Sequence, residues 1–96
     1  MRVRYLPRAL ADLEIIYAYI AKRNPPAADR VTAAIRRSIA GLTEFPEIGQ
    51  PADAPNVRVL RSAHQPYQVY YSIIGEEIHI LHIRHSARRP AQPDDF

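Results

Sequence analysis

The sequence predicts a two-layer α+β domain, with a strand, then an antiparallel helix hairpin packed on an antiparallel β-sheet, then a C-terminal three-strand meander. Apolar residues recur at steps of three and four over residues 8–42 but alternate over residues 57–84, the helical and strand periods respectively. Prolines stand where the period changes, at Pro7, at Pro25 and Pro26, and between Pro46 and Pro55. A chain of 96 residues has room for one core.

Arg2 to Leu6 alternates charge with Val3 and Tyr5, as a short strand with one wet face does. Pro7 ends it and suits the first helical turn, where its missing N–H would be unpaired anyway. From Arg8 to Arg23, the residues Leu10, Leu13, Ile16, Tyr17 and Ile20 define one apolar stripe. Asn24 is placed to cap a second helix begun by Pro25 and Pro26, whose stripe is Ala28, Val31, Ile35, Ile39 and Leu42. So short a connection makes the two helices an antiparallel hairpin. Phe45 to Pro55 reads as an irregular loop tied down by Phe45 and Ile48. Strands follow at Val57 to Arg61, Tyr67 to Ile74 and Glu77 to Arg84, with Gly75-Glu76 as a tight turn between the last two. Residues 1–90 are expected to form the single domain and residues 91–96 a short flexible tail.

Composition narrows the function classes. A domain this small buries only about 60 to 65 per cent of the surface its unfolded chain exposes, and it has no cysteine to supply a disulfide or a thiolate zinc site. A partner chain is the natural source of further stability. No stretch approaches the roughly 18 apolar residues of a membrane span, so a cytoplasmic location is expected. The net charge is +3, with Lys22 the only lysine, and arginine's planar fork suits phosphate and carboxylate partners.

Strand geometry limits the chemistry these residues can support. Alternation turns His82 away from His79 and His85, which share a face about 20 Å apart, too far for one metal ion. His79 and His82 then read as sheet-surface residues. No glycine-rich phosphate loop or GxSxG elbow is present, Ser86 beside His85 has no evident triad, and no paired carboxylates stand out. No cofactor is implied. What remains is basic: Arg58 and Arg61 on one strand, Arg84 at the end of another, and His85, Arg88 and Arg89 after it. In a meander these strands run the same way, so Arg61 and Arg84 lie toward one end of the sheet. Such a group suits an anionic partner, with Tyr67, Tyr70 or Tyr71 offering a stacking plane; a solvated rim would look the same in sequence.

The element order, together with "LTEFPEIGQP", "RVLRSAHQPYQVYYSI" and "ILHIRHSARRP", resembles the RelE/ParE superfamily of bacterial type II toxin–antitoxin toxins over about residues 1–90. The resemblance implies a growth-inhibiting toxin, in some systems a plasmid-stabilising one, held in a hetero-oligomeric complex by an antitoxin encoded beside it. ParE-like members inhibit DNA gyrase. RelE-like members cut mRNA on the ribosome by metal-independent attack of the 2′-hydroxyl. "HSAR", His85 to Arg88, is similar to the His-Gly-Ala-Arg of ParE-like chains, with Ser86 in place of glycine, which implies target contacts at Arg84, His85, Ser86, Arg88 and Arg89. Catalysis of the RelE kind would fall to Arg58, Arg61, Arg84, His85 and Arg88, with His85 as the acid or base. RelE-like chains carry lysines on the second strand of the sheet region and often a tyrosine near the C-terminus; neither is present here. The ParE-like expectation is therefore favoured, with the mRNA interferase and a non-toxic binding module as alternatives.

Overall fold

The computed structural model of the chain describes residues 1–62 and 66–87. Its elements are β1 (Arg2–Tyr5), α1 (Pro7–Ala21), α2 (Pro25–Ala40), a single 3-10 turn (Gly41–Thr43), β2 (Gln50–Pro51), β3 (Arg58–Arg61), β4 (Tyr67–Ile74) and β5 (Glu77–His85). Both helices begin with proline, and the Asn24 side chain caps α2 by accepting from Ala27 N–H at 3.2 Å. Gly75 supplies a positive φ of 60° at the first turn position between β4 and β5, which favours a residue without Cβ. No helix among the described residues is long and apolar enough to cross a membrane.

The sheet order is β1-β5-β4-β3-β2. The meander β3-β4-β5 is antiparallel, as the short connections require, whereas β1 lies at the edge parallel to β5, with Val3 opposite Ile78 and Tyr5 opposite Ile80. The helix hairpin covers one face. Between the layers lie Ala9 and Leu13 of α1, Ile35 and Ile39 of α2, Leu42, and the inward residues Val69, Tyr71, Ile78, Ile80 and Ile83. Burying a side chain such as Ile35 or Ile39 contributes about 1.5 to 3 kcal/mol. The α1 stripe is rotated from the one expected: Ala9 and Leu13 are buried, while Leu10 and Tyr17 remain 43 and 40 % exposed. On the outer face a smaller cluster, Val57 and Tyr70, packs with Ala52, Ala54, Val59 and Leu81.

The segment from Phe45 to Pro55 departs from expectation twice. Gln50 and Pro51 pair with Val59 and Arg58, a two-residue edge strand that tolerates proline because its outer side has no ladder to complete. Phe45 and Ile48 do not tie the loop down; they are 62 and 60 % exposed. Polar groups hold it instead. The buried Tyr71 hydroxyl donates to Pro46 O at 2.7 Å and accepts from Gly49 N–H at 2.9 Å. Arg58 donates to Glu47 O at 3.1 Å and Gly49 O at 2.8 Å. A Cβ at Gly49 would come 2.6 Å from the Tyr71 hydroxyl and 2.9 Å from Val59 O, so the backbone approach needs glycine.

One irregularity governs where the end of β5 points. Tyr71 pairs with Ile80 but Tyr70 pairs with His82, so β5 holds an extra residue, a β-bulge, at Leu81. Before it, the even-numbered Ile78 and Ile80 face the helices; after it, the odd-numbered Ile83 does. The expectation that His79 and His85 share a face is overturned for this reason. His85 lies with the inward Tyr67, while His79 stays on the other face, hydrogen-bonded to Glu77 at 2.9 Å.

Candidate functional site

The bulge has a fastener from the helix layer. Asp12, one turn into α1, places Oδ2 2.6 Å from His82 Nδ1 and 2.9 Å from Ile83 N–H. An ionised carboxylate only accepts, so His82 carries its proton on Nδ1, and Nε2 faces the Arg8 guanidinium at 3.5 Å. His82 is 4 % exposed and stacks on Tyr70 with centroids 6.0 Å apart. It is therefore not the sheet-surface residue that alternation suggests. Alternation assigns a face but says nothing of a helix crossing the strand's open edge beyond the end of β1.

Strand register sorts the arginines. Arg61 opposes Gln68 and Gln68 opposes Arg84, so these three residues form one cross-strand row on the outer face, the two arginine Cα atoms about 10 Å apart. The convergence of Arg61 and Arg84 at one end of the sheet holds. Arg61 is exposed, but Arg84 is only 8 % exposed, which removes it as a freely offered contact in this conformation. Arg58 does not join them. It opposes the inward Tyr71, and its guanidinium holds the Glu47 and Gly49 carbonyls.

His85 and Ser86 are exposed at the sheet's end. The His85 ring meets Tyr67 edge-on, centroids 5.4 Å apart, and its Nδ1 accepts from Ala87 N–H at 3.0 Å. Ser86 N–H donates to Pro66 O at 2.7 Å, closing the strand end. Arg88, Arg89 and the tail 91–96 lie outside the described residues. Around His85 a cleft of about 410 Å³ opens between α1 and the end of β5, lined by Asp12, Ile15, Ile16, Tyr19, Tyr67, His82, Ile83 and Arg84 as well as His85. Burial pushes the Tyr67 phenol above its ordinary value, with Tyr19 nearby adding to the rise. Ile15 and Tyr19 are 67 and 62 % exposed at the rim, and Arg23 stacks over the Tyr19 ring at 5.4 Å. Among the described residues no three His, Asp or Glu side chains gather as metal ligands.

Sequence reading missed Asp12, Ile15 and Tyr19. Asp12 reaches a histidine 70 positions away, and nothing in its local spacing marks it. Exposed Ile15 and Tyr19 four residues apart were visible as a second, weaker stripe on α1.

A helix hairpin on a five-stranded sheet that ends in a bulged strand, with the HSA run at its tip, defines a toxin of the RelE/ParE superfamily. Residues 3–90 match the family described as the ParE toxin of the type II toxin–antitoxin system, parDE, and the chain belongs to that family. It is 39 % identical to the putative toxin Y4kP of Sinorhizobium fredii, covering 88 % of each chain. It is 40 % identical to toxin RelE2 of Caulobacter vibrioides over 84 % of this chain and 90 % of the relative. A chain of the chromosomal ParDE system from P. aeruginosa has the same fold, with a TM-score of 0.81 and 27 % identity over 88 % of this chain and 95 % of that one. A chain of the RelBE2 toxin–antitoxin complex from Mycobacterium tuberculosis superposes with a TM-score of 0.65 and 26 % identity, over the same 88 and 95 %.

Proposed function

We propose that this chain is the toxin of a type II toxin–antitoxin pair which, when free of its antitoxin in the cytoplasm, inhibits DNA gyrase. The observation that carries the reading is the engagement of Arg58. A nuclease of the RelE kind would draw on Arg58 with Arg61, yet Arg58 is on the opposite face and is bound to two loop carbonyls. With no lysine on β3 to replace it, the outer face offers Arg61 and a largely buried Arg84, a thin set for holding a phosphodiester in line. His85 and Ser86, exposed at the tip beside the cleft, fit better as contacts to a protein target, with Arg88 and Arg89 proposed as further contacts from their place in the sequence alone. The domain of residues 1–90 would then act as a binding body and not as an enzyme.

The antitoxin would use a different surface. The outer groove of the helix hairpin, about 330 Å³ and lined by Leu10, Leu13, Glu14, Tyr17, Thr32 and Arg36, leaves Leu10 and Tyr17 half-exposed, as a helix-in-groove partner requires.

Gyrase supercoiling with the purified chain is the direct test. Inhibition relieved by the antitoxin is expected; unimpaired supercoiling at saturating toxin refutes the reading. The interferase alternative rests on exposed His85 beside Tyr67, and codon-phased mRNA cuts in a translating extract would establish it in place of gyrase inhibition.

A further inference from the structure

The strands of the sheet carry five arginines against a single acid, Glu77. The helices mix the signs, with Asp12, Glu14 and Asp29 among their own cations, so the excess of positive charge belongs to the sheet. Two of the five arginines are engaged: Arg58 holds the Glu47 and Gly49 carbonyls, and Arg84 is 8 % exposed. Arg2 and Arg4 of β1 are not. Val3 and Tyr5 pack into the core, so alternation turns Arg2 and Arg4 to the outer face, away from the helix layer. Both are exposed, and neither guanidinium makes a hydrogen bond or an ion pair among the described residues. Glu77, opposite Arg2, is hydrogen-bonded to His79 at 2.9 Å.

The first turn of α1 adds a third cation. Arg8 is exposed, and its guanidinium reaches Nε2 of His82, the residue opposite Tyr70 on the outer face. Arg2 stands level with Glu77, Arg4 with His79 and Arg8 with His82, so the three form one row climbing the β5 side of the sheet. Five strand steps make the row about 16 Å long, and it runs toward the tip at His85.

A row of guanidinium forks suits a ligand that repeats an anion, and phosphate matches the fork with two parallel hydrogen bonds. At about 3.4 Å per base pair, the row spans about five pairs of a duplex. Unstacked bases have nothing to lie on. The one tyrosine on this face among the described residues, Tyr70, is 3 % exposed and stacks with His82. The face can therefore hold a backbone but cannot read or splay bases.

We propose that Arg2, Arg4 and Arg8 bind duplex DNA through its phosphates, without sequence preference. The choice of DNA rests on the gyrase reading, because duplex DNA is what gyrase acts on and the row leads to the tip assigned to the protein target. The binding itself needs no gyrase.

Fluorescence anisotropy of a labelled duplex of about 20 base pairs, titrated with the full chain from 50 to 200 mM salt, provides the test. Three phosphate contacts predict a slope of log K against log salt of about −2.7, a loss of about 40-fold in affinity over that range. Arg2→Gln with Arg4→Gln should leave a slope of about −0.9 and a loss of about 3-fold. Both positions are exposed, so unchanged melting curves will show that the double variant folds. Arg30→Gln with Arg37→Gln is the control: it removes the same charge from exposed positions of α2 and should leave the slope near that of the wild type. A single strand of the same sequence should bind more weakly. No binding at 50 mM salt, an unaltered slope in the β1 variant, an equal drop in the α2 variant, or tighter binding of the single strand overturns the proposal. If the β1 variant weakens only the antitoxin complex, the row meets an acidic protein and DNA binding is refuted. Arginine-dependent DNA binding by a chain that leaves supercoiling intact would uphold the row and refute the gyrase reading, whereas inhibited supercoiling without DNA binding would do the reverse.

Discussion

Replacing Tyr71 by phenylalanine removes one oxygen from the interior and leaves the ring in place. The ring is fully buried and keeps its contacts between β4 and the helices, so the apolar contribution is unchanged. What is lost is a hydroxyl that donates to Pro46 O at 2.7 Å and accepts from Gly49 N–H at 2.9 Å. Both loop groups lose that partner, the Gly49 N–H now pointing at a ring edge. At about 1 to 1.5 kcal/mol for each, the expected loss is about 2 to 3 kcal/mol. In a domain of this size that lowers Tm by about 10 to 20 °C and moves the urea midpoint by about 1 to 2 M with little change in slope. Tyr17→Phe is the control, because its hydroxyl meets Asp29 at the surface, 3.1 Å away, and its removal should cost less than about 0.5 kcal/mol. Urea titration followed by circular dichroism measures both. If Tyr71→Phe proves no more harmful than Tyr17→Phe, the hydroxyl does not hold the loop.

Two further outcomes follow from the same geometry. Asp12→Ala takes the shared acceptor from His82 Nδ1 and Ile83 N–H, and an expected loss of about 2 to 4 kcal/mol should appear in urea titration; Asp12→Asn, which keeps one acceptor oxygen, should lose less. Alkali should unfold the chain: burial raises the pKa of Tyr5, Tyr67 and Tyr71 above the unfolded value near 10, so their contribution is complete below about pH 10 and is lost as pH climbs through the higher folded values. The alkaline limb of the stability profile should flatten in Tyr71→Phe, and an unchanged limb would contradict the assignment.

Local signals were legible in the sequence and edge geometry was not. Pro7, Asn24 with Pro25, and Gly75 marked boundaries that the chain obeys, because each acts through its own backbone. The parallel pairing of β1 with β5 joins segments about 75 residues apart, and no local pattern encodes it. The rule that large apolar residues anchor loops failed at Phe45 and Ile48 because a tyrosine hydroxyl and a guanidinium perform that task from β4 and β3. Of the candidate site, the convergence of Arg61 and Arg84 followed from strand direction alone. The separation of Arg58 from Arg61 follows from alternation too, three positions being an odd step along the one strand that carries both.

The extra residue at Leu81 behaves like a frameshift written in protein. In "IHILHIRH", Ile78 to His85, the inward residues are Ile78 and Ile80 before the bulge and Ile83 after it, and the frame changes where Asp12 pins the chain. Substitutions within this strand leave the frame alone, and deleting Leu81 would remove the bulge yet keep Ile83 toward the helices and Arg84 toward the outer face, whereas deleting one residue beyond Ile83 would turn the strand tip over. The bulge is therefore a place where the strand can lose a residue without re-aiming its tip, and toxins of this kind should tolerate a change of length there better than between the bulge and the tip.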